Sequence, residues 1–332
     1  MEDGKVWDVL IIGGGPAGLS AALYAARALR STLVLEAEMP GGQIATTGDV
    51  EDYPGIIHTT GPELSIMMQT HAEHFGATVE IGERVSNVDL NGETKIVQTE
   101  SGKTYHARTV IVATGAAPRT LGVPGEDLLR GRGVSYCAVC DGPFFRDRHV
   151  AVAGGGDAAF DEGLYLTKYA SKVTIIHRRD EFRAQKILVD RAKRNPKIDF
   201  ILDTVIDRIN GSDRLESILM RNVKTGVTET LELGGLFVYI GSEPNTSLFT
   251  SCITVDRAGF IDTDENMATE CDGVFVAGDV RRNPLKQVVT AGADGSIAAL
   301  TADKYLDLLE EGDTPDEAEA IATSKATWKT EY

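Results

Sequence analysis

The chain has 332 residues, of which 42% are hydrophobic and 25% are charged, the balance of a soluble globular protein with room for two domains. Its formal net charge of −17 argues against nucleic acid and anionic membranes as partners, because both repel an acidic protein. Four cysteines are too few for a secreted disulfide scaffold, and neither a basic signal segment nor an apolar run of membrane-spanning length is present, so a reducing cytoplasm is the expected location.

A glycine-rich turn follows the first predicted strand. The strand, the turn, an alanine-rich helix and a second strand come in succession as Val9–Ile12, Gly13-x-Gly15-x-x-Gly18, Leu19–Ala28 and Thr32–Leu35. In a dinucleotide-binding unit the first glycine permits the tight turn, the second admits a pyrophosphate close to the backbone, and the third lets the helix pack on the strand. Glu36 ends the second strand, where a carboxylate accepts hydrogen bonds from a ribose and repels a 2′-phosphate. The first unit is therefore predicted to bind a dinucleotide without that phosphate, FAD first among the candidates.

The next informative segment is Cys137-Ala138-Val139-Cys140-Asp141-Gly142. Two cysteines three residues apart at the start of a helix can close a disulfide, and a helix N-terminus stabilises the reactive thiolate. A zinc half-site is the alternative, but its other ligands would be Cys252 and Cys271, which lack the close spacing of such sites; both are predicted to be small core residues. Asp141 can take and return the proton of thiol–disulfide exchange, and it also complements the helix dipole.

The first unit occurs again 141 residues further along the chain, as Val150–Ala153, Gly154-Gly155-Gly156-Asp157-Ala158-Ala159, a helix from about Ala158 to Tyr169, and Val173–Ile176. At this constant offset the three consecutive glycines of the two turns align, so we interpret the units as homologous. The second unit ends on His177, followed by Arg178, Arg179 and Arg183. Arginines at this position form charge-assisted bonds to a 2′-phosphate, which predicts NADPH; a solvated basic patch is the alternative.

Together these elements resemble the low-molecular-weight thioredoxin reductases. The resemblance covers nearly the whole chain and extends to further short motifs, Gly41-Gly42-Gln43, Tyr53-Pro54-Gly55, Ala113-Thr114-Gly115 and Gly278-Asp279. It implies an α/β fold of two Rossmann-like, three-layer nucleotide-binding domains, the second inserted into the first. The expected boundaries are residues 1–118 and 247–332 for the two parts of the FAD domain and 119–246 for the NADPH domain with the dithiol. A late helix is expected from about Thr290 to Leu308.

The resemblance also implies which residues contact the cofactors. The expected FAD contacts are Gly13, Gly15, Pro16, Ala17, Gly18, Glu36, Ala37, Gly41, Gly42, Gln43, Thr47, Asp52, Thr114, Gly115, Gly278, Asp279, Lys286, Gln287 and Val288. The expected NADPH contacts are Gly154, Gly156, Asp157, Ala158, Ala159, His177, Arg178, Arg179 and Arg183. No metal ligand is expected. Asp52, Lys286 and Ser242 depart from the family pattern, in which an asparagine, an arginine and a histidine are usual.

The implied activity is NADPH-dependent reduction of oxidised thioredoxin through FAD and the Cys137–Cys140 disulfide, in a homodimer. NADPH passes a hydride to FAD, and the electrons then reach Cys140, the sulfur nearer the flavin. Cys137 attacks the disulfide of thioredoxin, and Asp141 handles the proton. Arg132 and Phe144 match family positions that meet thioredoxin, although each is also explained as ordinary surface or core. Related flavoenzymes that lack the dithiol or the second turn fit less well, as does a non-catalytic redox sensor that binds dinucleotides.

Overall fold

The computed structural model describes residues 5–47 and 49–323. In this structure the chain forms two compact units. Unit one combines the chain up to Ala117 with the chain from Glu243 onward, and unit two is the intervening stretch Pro118–Ser242. Parallel strands and helices build both units, which confirms the predicted α/β class.

The strands lie, in chain order, at Val6–Ile12 (β1), Thr32–Glu36 (β2), Asp49–Val50 (β3), Thr59–Thr60 (β4), Thr78–Ile81 (β5), Val85–Asp89 (β6), Lys95–Thr99 (β7), Thr104–Val112 (β8), Ala116–Pro118 (β9), Val134–Ser135 (β10), His149–Gly154 (β11), Lys172–Ile176 (β12), Ile198–Ile201 (β13), Thr204–Asn210 (β14), Ser217–Asn222 (β15), Thr228–Glu232 (β16), Gly235–Tyr239 (β17), Ser242–Pro244 (β18) and Val274–Val276 (β19). The α-helices lie at Pro16–Arg27 (α1), Gly61–His74 (α2), Ala138–Asp141 (α3), Asp157–Leu166 (α4), Lys186–Lys193 (α5), Val288–Glu311 (α6) and Pro315–Ala322 (α7). Short 3₁₀ turns cover Gly42–Thr46, Gly142–Phe145 and Gly278–Val280.

The main sheet of unit one joins strands from both stretches of the chain. Its order is β5-β2-β1-β8-β7-β6, and β19 also pairs with β8. Strands β1, β2, β5, β8 and β19 pair in parallel, whereas β6, β7 and β8 form an antiparallel meander. Helix α6 lies against α1, where a Cβ on Gly295 would come within 2.0 Å of the Ala17 carbonyl oxygen. Glycine at this position lets the two helices approach closely enough to close the unit.

The core of unit one has two sides, because β1 is buried on both of its faces. Val9 and Ile11 pack with the alanine-rich faces of α1 and α6, whereas Leu10 and Ile12 pack on the opposite side with Phe249. A strand covered on both faces is typical of parallel sheets in α/β proteins. Within residues 5–47 and 49–323, none of the helices has both the length and the hydrophobicity needed to span a bilayer.

Unit two contains a parallel sheet in the order β10-β17-β11-β12-β13 and a separate antiparallel sheet of β14, β15 and β16. The strand order reverses at β11, since β12 and β13 lie on one side of it and β17 on the other. Open α/β sheets bind ligands in the crevice at such a reversal, outside the carboxyl ends of the strands. Strand β11 ends in the second glycine turn and β17 ends at Tyr239, so both border this crevice.

The predicted helices differ from the observed ones mainly at their ends. Helix α1 begins at Pro16 instead of Leu19, because Gly15 is its N-cap and proline suits the first helical position. Helix α4 ends at Leu166 instead of Tyr169, and turns follow it. Helix α6 continues to Glu311 because Gly312, in a left-handed conformation, ends it. The last part of the polar tail, residues 324–332, lies outside the described residues.

Candidate active site

The first glycine turn is packed so tightly that side chains are excluded from it. Gly13 has a φ of 107°, and a Cβ there would lie 2.4 Å from the Ala113 carbonyl oxygen. A Cβ on Gly18 would lie 1.9 Å from the Gly13 carbonyl oxygen, so α1 begins directly against the turn. Pro16 and Ala17 occupy the first two positions of this helix. The predicted roles of the first and third glycines therefore match their packing.

The middle of the turn is open. A Cβ on Gly15 would meet only the Cα of Gly42, at 3.9 Å. The Gly41 N–H donates to the Gly14 carbonyl at 2.7 Å. This hydrogen bond holds Gly41 and Gly42 beside the first glycine turn. Backbone N–H groups at the start of α1 thus face a cleft lined by glycines, the arrangement that binds a pyrophosphate.

Glu36 lies at the rim of this cleft. Its Oε2 accepts a hydrogen bond from the Gly14 N–H at 2.6 Å, and its Oε1 accepts one from the Glu38 N–H at 2.8 Å. Both bonds fix the carboxylate at the end of β2 with further lone pairs available, as a ribose contact requires. Ala37 follows it and is half-buried.

The other predicted flavin contacts lie on four segments of unit one. Thr114 and Gly115 follow β8 and are tied to Asn245, whose side-chain amide donates to the Thr114 carbonyl at 2.8 Å and whose N–H donates to the Gly115 carbonyl at 3.0 Å. Gln43 is exposed in the first 3₁₀ turn, and the Thr47 hydroxyl donates to its carbonyl at 3.1 Å. Asp52 is exposed on the loop between β3 and β4.

The fourth segment surrounds Asp279, in the 3₁₀ turn after β19. Burial raises the pKa of the Asp279 carboxyl, and the nearby Lys286 opposes this change. The Lys286 Nζ lies 4.0 Å from the centroid of the Phe260 ring, and burial lowers its pKa. Gln287 is the N-cap of α6 and Val288 its first residue. A half-buried carboxyl beside a helix N-terminus can hydrogen-bond polyhydroxyl groups, so these side chains fit a flavin with its ribityl chain.

The two cysteines of the CxxC motif are joined as a disulfide. The Cα atoms of Cys137 and Cys140 are 5.3 Å apart, within the usual range for a bridge. Cys137 is the N-cap of α3, and its Sγ accepts a hydrogen bond from the Cys140 N–H at 3.1 Å. Asp141 ends this short helix. A sulfur that already accepts a helix N-terminal N–H has the environment that stabilises a thiolate after reduction.

Two residues that the sequence did not single out hold this dithiol turn. The Ser135 hydroxyl accepts a hydrogen bond from the Cys137 N–H at 3.1 Å, and the Tyr239 hydroxyl accepts one from the Ala138 N–H at 2.6 Å. Burial, and then the nearby Glu162 carboxylate, raises the pKa of Tyr239, so its phenol stays neutral. The available signal was the position of Tyr239 at the end of β17, on the ligand crevice.

The second glycine turn repeats the first with a different lining. A Cβ on Gly154 would lie 2.4 Å from the Tyr239 carbonyl oxygen, whereas one on Gly156 would meet nothing within 4 Å. The Asp157 carboxylate accepts hydrogen bonds from the backbone N–H and side-chain amide of Gln185, at 2.7 and 3.1 Å, and these bonds lower its pKa. Ala158 is exposed and Ala159 buried at the start of α4.

His177 is buried directly beneath this turn. A Cβ on Gly155 would lie 2.3 Å from the His177 Nδ1, so the ring fills the space under the glycine. Burial, and then the charges of Arg183, Arg179 and Arg178, lowers the pKa of His177, and its Nε2 is buried without a hydrogen-bond partner among the described residues. His177 therefore packs as a neutral ring beneath Gly155.

The three arginines are exposed on the loop that follows, residues 178–183, named here the arginine loop. The N–H groups of Arg183 and Ala184 donate to the Gly155 carbonyl at 2.8 and 3.2 Å. The loop is therefore fastened to the glycine turn, which brings its guanidinium groups to the same edge of the sheet as the open Gly156. This is the position from which arginines reach a 2′-phosphate.

Comparisons with known proteins identify the family of the chain. A family model described as pyridine nucleotide-disulphide oxidoreductase matches residues 7–295. A thioredoxin reductase of Peptoclostridium acidaminophilum is 49% identical over 310 residues, which are 91% of this chain and 98% of that protein. A thioredoxin reductase of Bacillus subtilis strain 168 is 46% identical over 94% of this chain and 98% of its own length. The crystal structure of a thioredoxin reductase from Streptococcus pyogenes MGAS5005 is 48% identical, covers 91% of this chain and 99% of that chain, and has a TM-score of 0.87.

The chain belongs to the thioredoxin reductase family. As a thioredoxin reductase family member it is an oxidoreductase that uses FAD and NADPH, which confirms the two cofactors predicted from the paired turns. The described residues fit both groups, since the cleft at Gly15 and the open Gly156 each leave room for a pyrophosphate. The match over nearly the whole chain also confirms the predicted family.

The remaining predicted residues lie away from the two turns. Arg132 and Phe144 are exposed on unit two, on either side of the dithiol in sequence. Cys252 and Cys271 are free, half-buried thiols packed against the core of unit one, and burial raises the pKa of each. These two thiols therefore behave as core residues with little thiolate character. Among the described residues, no group of three or more His, Cys, Asp or Glu side chains is arranged to hold a metal ion.

Proposed function

We propose that this protein uses NADPH and FAD to reduce the disulfide of a thioredoxin through Cys137 and Cys140. The observation that carries the proposal is the Cys137–Cys140 disulfide at the start of a helix, with Asp141 directly after it. Unit two also carries the second glycine turn with the exposed arginines, and unit one carries the first glycine turn, with Glu36 at the end of β2. Two nucleotide sites of different charge and one redox disulfide are the parts that such a reductase needs.

In this proposal FAD is held by a domain of residues 1–118 and 247–332, nearly the same stretches as unit one. Gly13, Gly15, Pro16, Ala17 and Gly18 form the turn for the pyrophosphate, and Glu36 binds the adenosine ribose with Ala37 beside it. The isoalloxazine and ribityl groups are held by a second set of residues: Gly41, Gly42, Gln43, Thr47, Asp52, Thr114, Gly115, Gly278, Asp279, Lys286, Gln287 and Val288. Lys286 supplies one positive charge near the isoalloxazine ring, but it lacks the bidentate geometry of an arginine.

In this proposal NADPH is held by a domain of residues 119–246, nearly the same stretch as unit two. Gly154, Gly156, Asp157, Ala158 and Ala159 form the turn for its pyrophosphate, with His177 as the floor. Arg178, Arg179 and Arg183 bind the 2′-phosphate through charge-assisted hydrogen bonds. When bound, the two cofactors supply a hydride and pass its two electrons to the disulfide.

The chain's own residues then carry out the thiol–disulfide exchange. Reduction breaks the Cys137–Cys140 bond and, with two electrons and one proton, leaves one thiol and one thiolate. The Cys137 thiolate attacks a sulfur of the thioredoxin disulfide, which breaks that bond and forms a mixed disulfide. Asp141 takes the proton of the Cys140 thiol, and the Cys140 thiolate attacks the Cys137 Sγ of the mixed disulfide. This attack restores the Cys137–Cys140 bridge and expels the thioredoxin thiolate, to which Asp141 returns the proton.

The partners of the protein in this proposal are thioredoxin and a second copy of the chain. Exposed Arg132 and Phe144 offer a cationic and an aromatic contact for thioredoxin. Unit one exposes the large apolar side chains of Ile57, Ile66 and Met67, and such a surface suits association with another copy. The two unpaired thiols of unit one are consistent with a reducing compartment, for which we propose the cytoplasm.

Steady-state turnover tests the proposal most simply. The FAD-loaded protein should oxidise NADPH rapidly with oxidised thioredoxin as acceptor, slowly with NADH, and slowly with oxygen alone. A Cys137→Ser variant should still oxidise NADPH with a small-molecule quinone but should not reduce thioredoxin, because the exchange nucleophile is missing. Thioredoxin reduction by that variant at the wild-type rate would refute the assignment of Cys137. Light scattering checks the homodimer, which a monomeric mass would rule out.

A further inference from the structure

Lys224 lies on the turn between β15 and β16 and reaches the arginine loop. Its Nζ is 2.8 Å from the Asp180 Oδ2 and 3.0 Å from the Asp203 Oδ1. Asp180 is a member of the arginine loop, directly after Arg179. A single lysine from a distant hairpin thus pairs with the carboxylate that stands among the arginines.

Asp203 connects the same two segments through its backbone. Its N–H donates to the Arg179 carbonyl at 3.2 Å, and its own carbonyl accepts a hydrogen bond from the Val223 N–H at 2.6 Å. Asp203 has a positive φ of 51°, a conformation that few residues other than glycine adopt and that aspartate tolerates better than most. The backbone and the carboxylate of Asp203 therefore fasten the hairpin turn to the back of the arginine loop.

The hairpin turn is itself rigid, so the lysine is presented in a fixed place. The Asn222 Oδ1 accepts hydrogen bonds from the N–H groups of Lys224 and Thr225, each at 3.0 Å. The Gly226 N–H donates to the Asn222 carbonyl at 2.8 Å. Such an asparagine-capped turn restricts the backbone on both sides of Lys224.

The net charge of the arginine loop and its ion-pair partners determines whether this region attracts a phosphate. Arg178, Arg179, Arg183 and Lys224 stand against Asp180, Glu181 and Asp203, so the loss of the lysine would cancel the local excess of positive charge. The hydrogen bond from Lys224 lowers the pKa of Asp180, which therefore stays ionised. An ionised carboxylate without its lysine would repel a phosphate bound by the neighbouring arginines.

We propose that Lys224 is a positioning residue that determines specificity for the 2′-phosphate, by neutralising Asp180 and fixing the arginine loop. This inference rests on the proposed binding of NADPH by unit two. Lys224 contacts Asp180 and Asp203, so we place its effect on the phosphate through these two residues. Because the ion pairs are exposed, their effect should be moderate and should weaken as ionic strength rises.

Calorimetric titration of the FAD-loaded protein with adenosine 2′,5′-bisphosphate and with 5′-AMP tests this without turnover. Lys224→Met should weaken binding of the bisphosphate about two- to fivefold, the size expected for one exposed charge interaction, and should leave 5′-AMP unchanged. Lys172→Met is the matched control, because Lys172 forms a similarly exposed ion pair with Asp199 at 2.7 Å on the same unit. This control should bind both nucleotides as the wild type does.

A second substitution separates charge from general structural damage. In the Lys224→Met background, Asp180→Asn removes the repelling carboxylate and should restore most of the lost affinity for the bisphosphate. Unchanged binding by Lys224→Met, or failure of Asp180→Asn to restore it, would overturn the inference. An Arg178→Ala and Arg179→Ala variant distinguishes the two levels of the argument. If the double arginine variant still prefers the bisphosphate as the wild type does, the proposed 2′-phosphate site is wrong. If the double arginine variant loses this preference but Lys224→Met keeps it, only the role of Lys224 is refuted.

Discussion

The two glycine turns of this protein share a backbone but differ in the residue beneath them. In unit one a Cβ on Gly14 would lie 3.0 Å from the Glu36 Oε2, and in unit two a Cβ on Gly155 would lie 2.3 Å from the His177 Nδ1. The four residues are related by the same offset of 141 positions. Glu36 ends β2 and His177 directly follows β12, so the residue at the end of the second strand occupies the same place in both units. In our proposal a carboxylate there selects a ribose with free hydroxyls, whereas a neutral ring followed by arginines leaves room for a phosphate.

The turns also differ at their third glycine position. Gly18 has no space for a side chain, since a Cβ would lie 1.9 Å from the Gly13 carbonyl oxygen. The equivalent residue of unit two is Ala159, which is buried at the start of α4. The first helix thus packs more closely on its turn than the second. This contrast teaches that homologous turns can tolerate different substitutions.

Removal of the arginines should have the largest effect, because it takes away two of the positive charges that distinguish the second turn from the first. Arg178→Ala with Arg179→Ala should raise the KM for NADPH by about two to four decades, since two charge-assisted hydrogen bonds contribute about 1.5–3 kcal/mol each. The KM for NADH should change little. Equal changes in both constants would show that these arginines do not recognise the 2′-phosphate.

Exchange of the third residue between the turns should have the next largest effect. Gly18→Ala should lower the free energy of unfolding by about 1–3 kcal/mol, the usual cost of overpacking, and should reduce the flavin content measured from absorbance. Ala159→Gly should cost only about 0.5–1 kcal/mol, mainly through helix propensity. The comparison fails if Gly18→Ala binds flavin as the wild type does and unfolds at the same urea concentration.

The pH dependence of stability should show the smallest effect, and it tests whether His177 is a neutral ring in the folded protein. Burial holds the folded pKa of His177 below its usual value near 6.5, so the unfolded chain binds its proton first. The stability that this neutral ring contributes is complete above pH 6.5 and is lost as the pH falls through the lower folded value. Urea unfolding at pH 7 and about pH 5 should therefore show a shallower loss of stability for His177→Phe than for the wild type. A parallel loss in both proteins would show that the ring does not titrate in this way.

Much of the fold was predictable because its signals are local. The strand, turn and helix of each unit are contiguous in sequence, and the repeated glycines and terminal residues mark both nucleotide sites. The helix ends were less predictable, as the start of α1 at Pro16 shows. The CxxC spacing indicated the disulfide, and the structure contains it.

The supporting contacts could not be predicted, because each joins residues that are distant in the chain. The hydrogen bond from the Ala138 N–H to the Tyr239 hydroxyl spans 101 positions, and Lys224 is 44 positions from Asp180. No local pattern distinguishes these side chains from an ordinary strand tyrosine or a surface lysine. Similarly, His177 follows a strand and precedes two arginines, which suggested ligand contact, whereas its burial under Gly155 follows only from the packing of the sheet.

Anaerobic titration with NADPH tests the central claim most directly, namely that bound flavin and the Cys137–Cys140 disulfide accept electrons in series. The disulfide and the flavin each take two electrons, so the wild type should consume about two equivalents of NADPH per chain before the flavin absorbance is fully bleached. A Cys137→Ser and Cys140→Ser variant should consume about one equivalent. The same single equivalent for the wild type, or a purified chain that carries no flavin, would contradict the account.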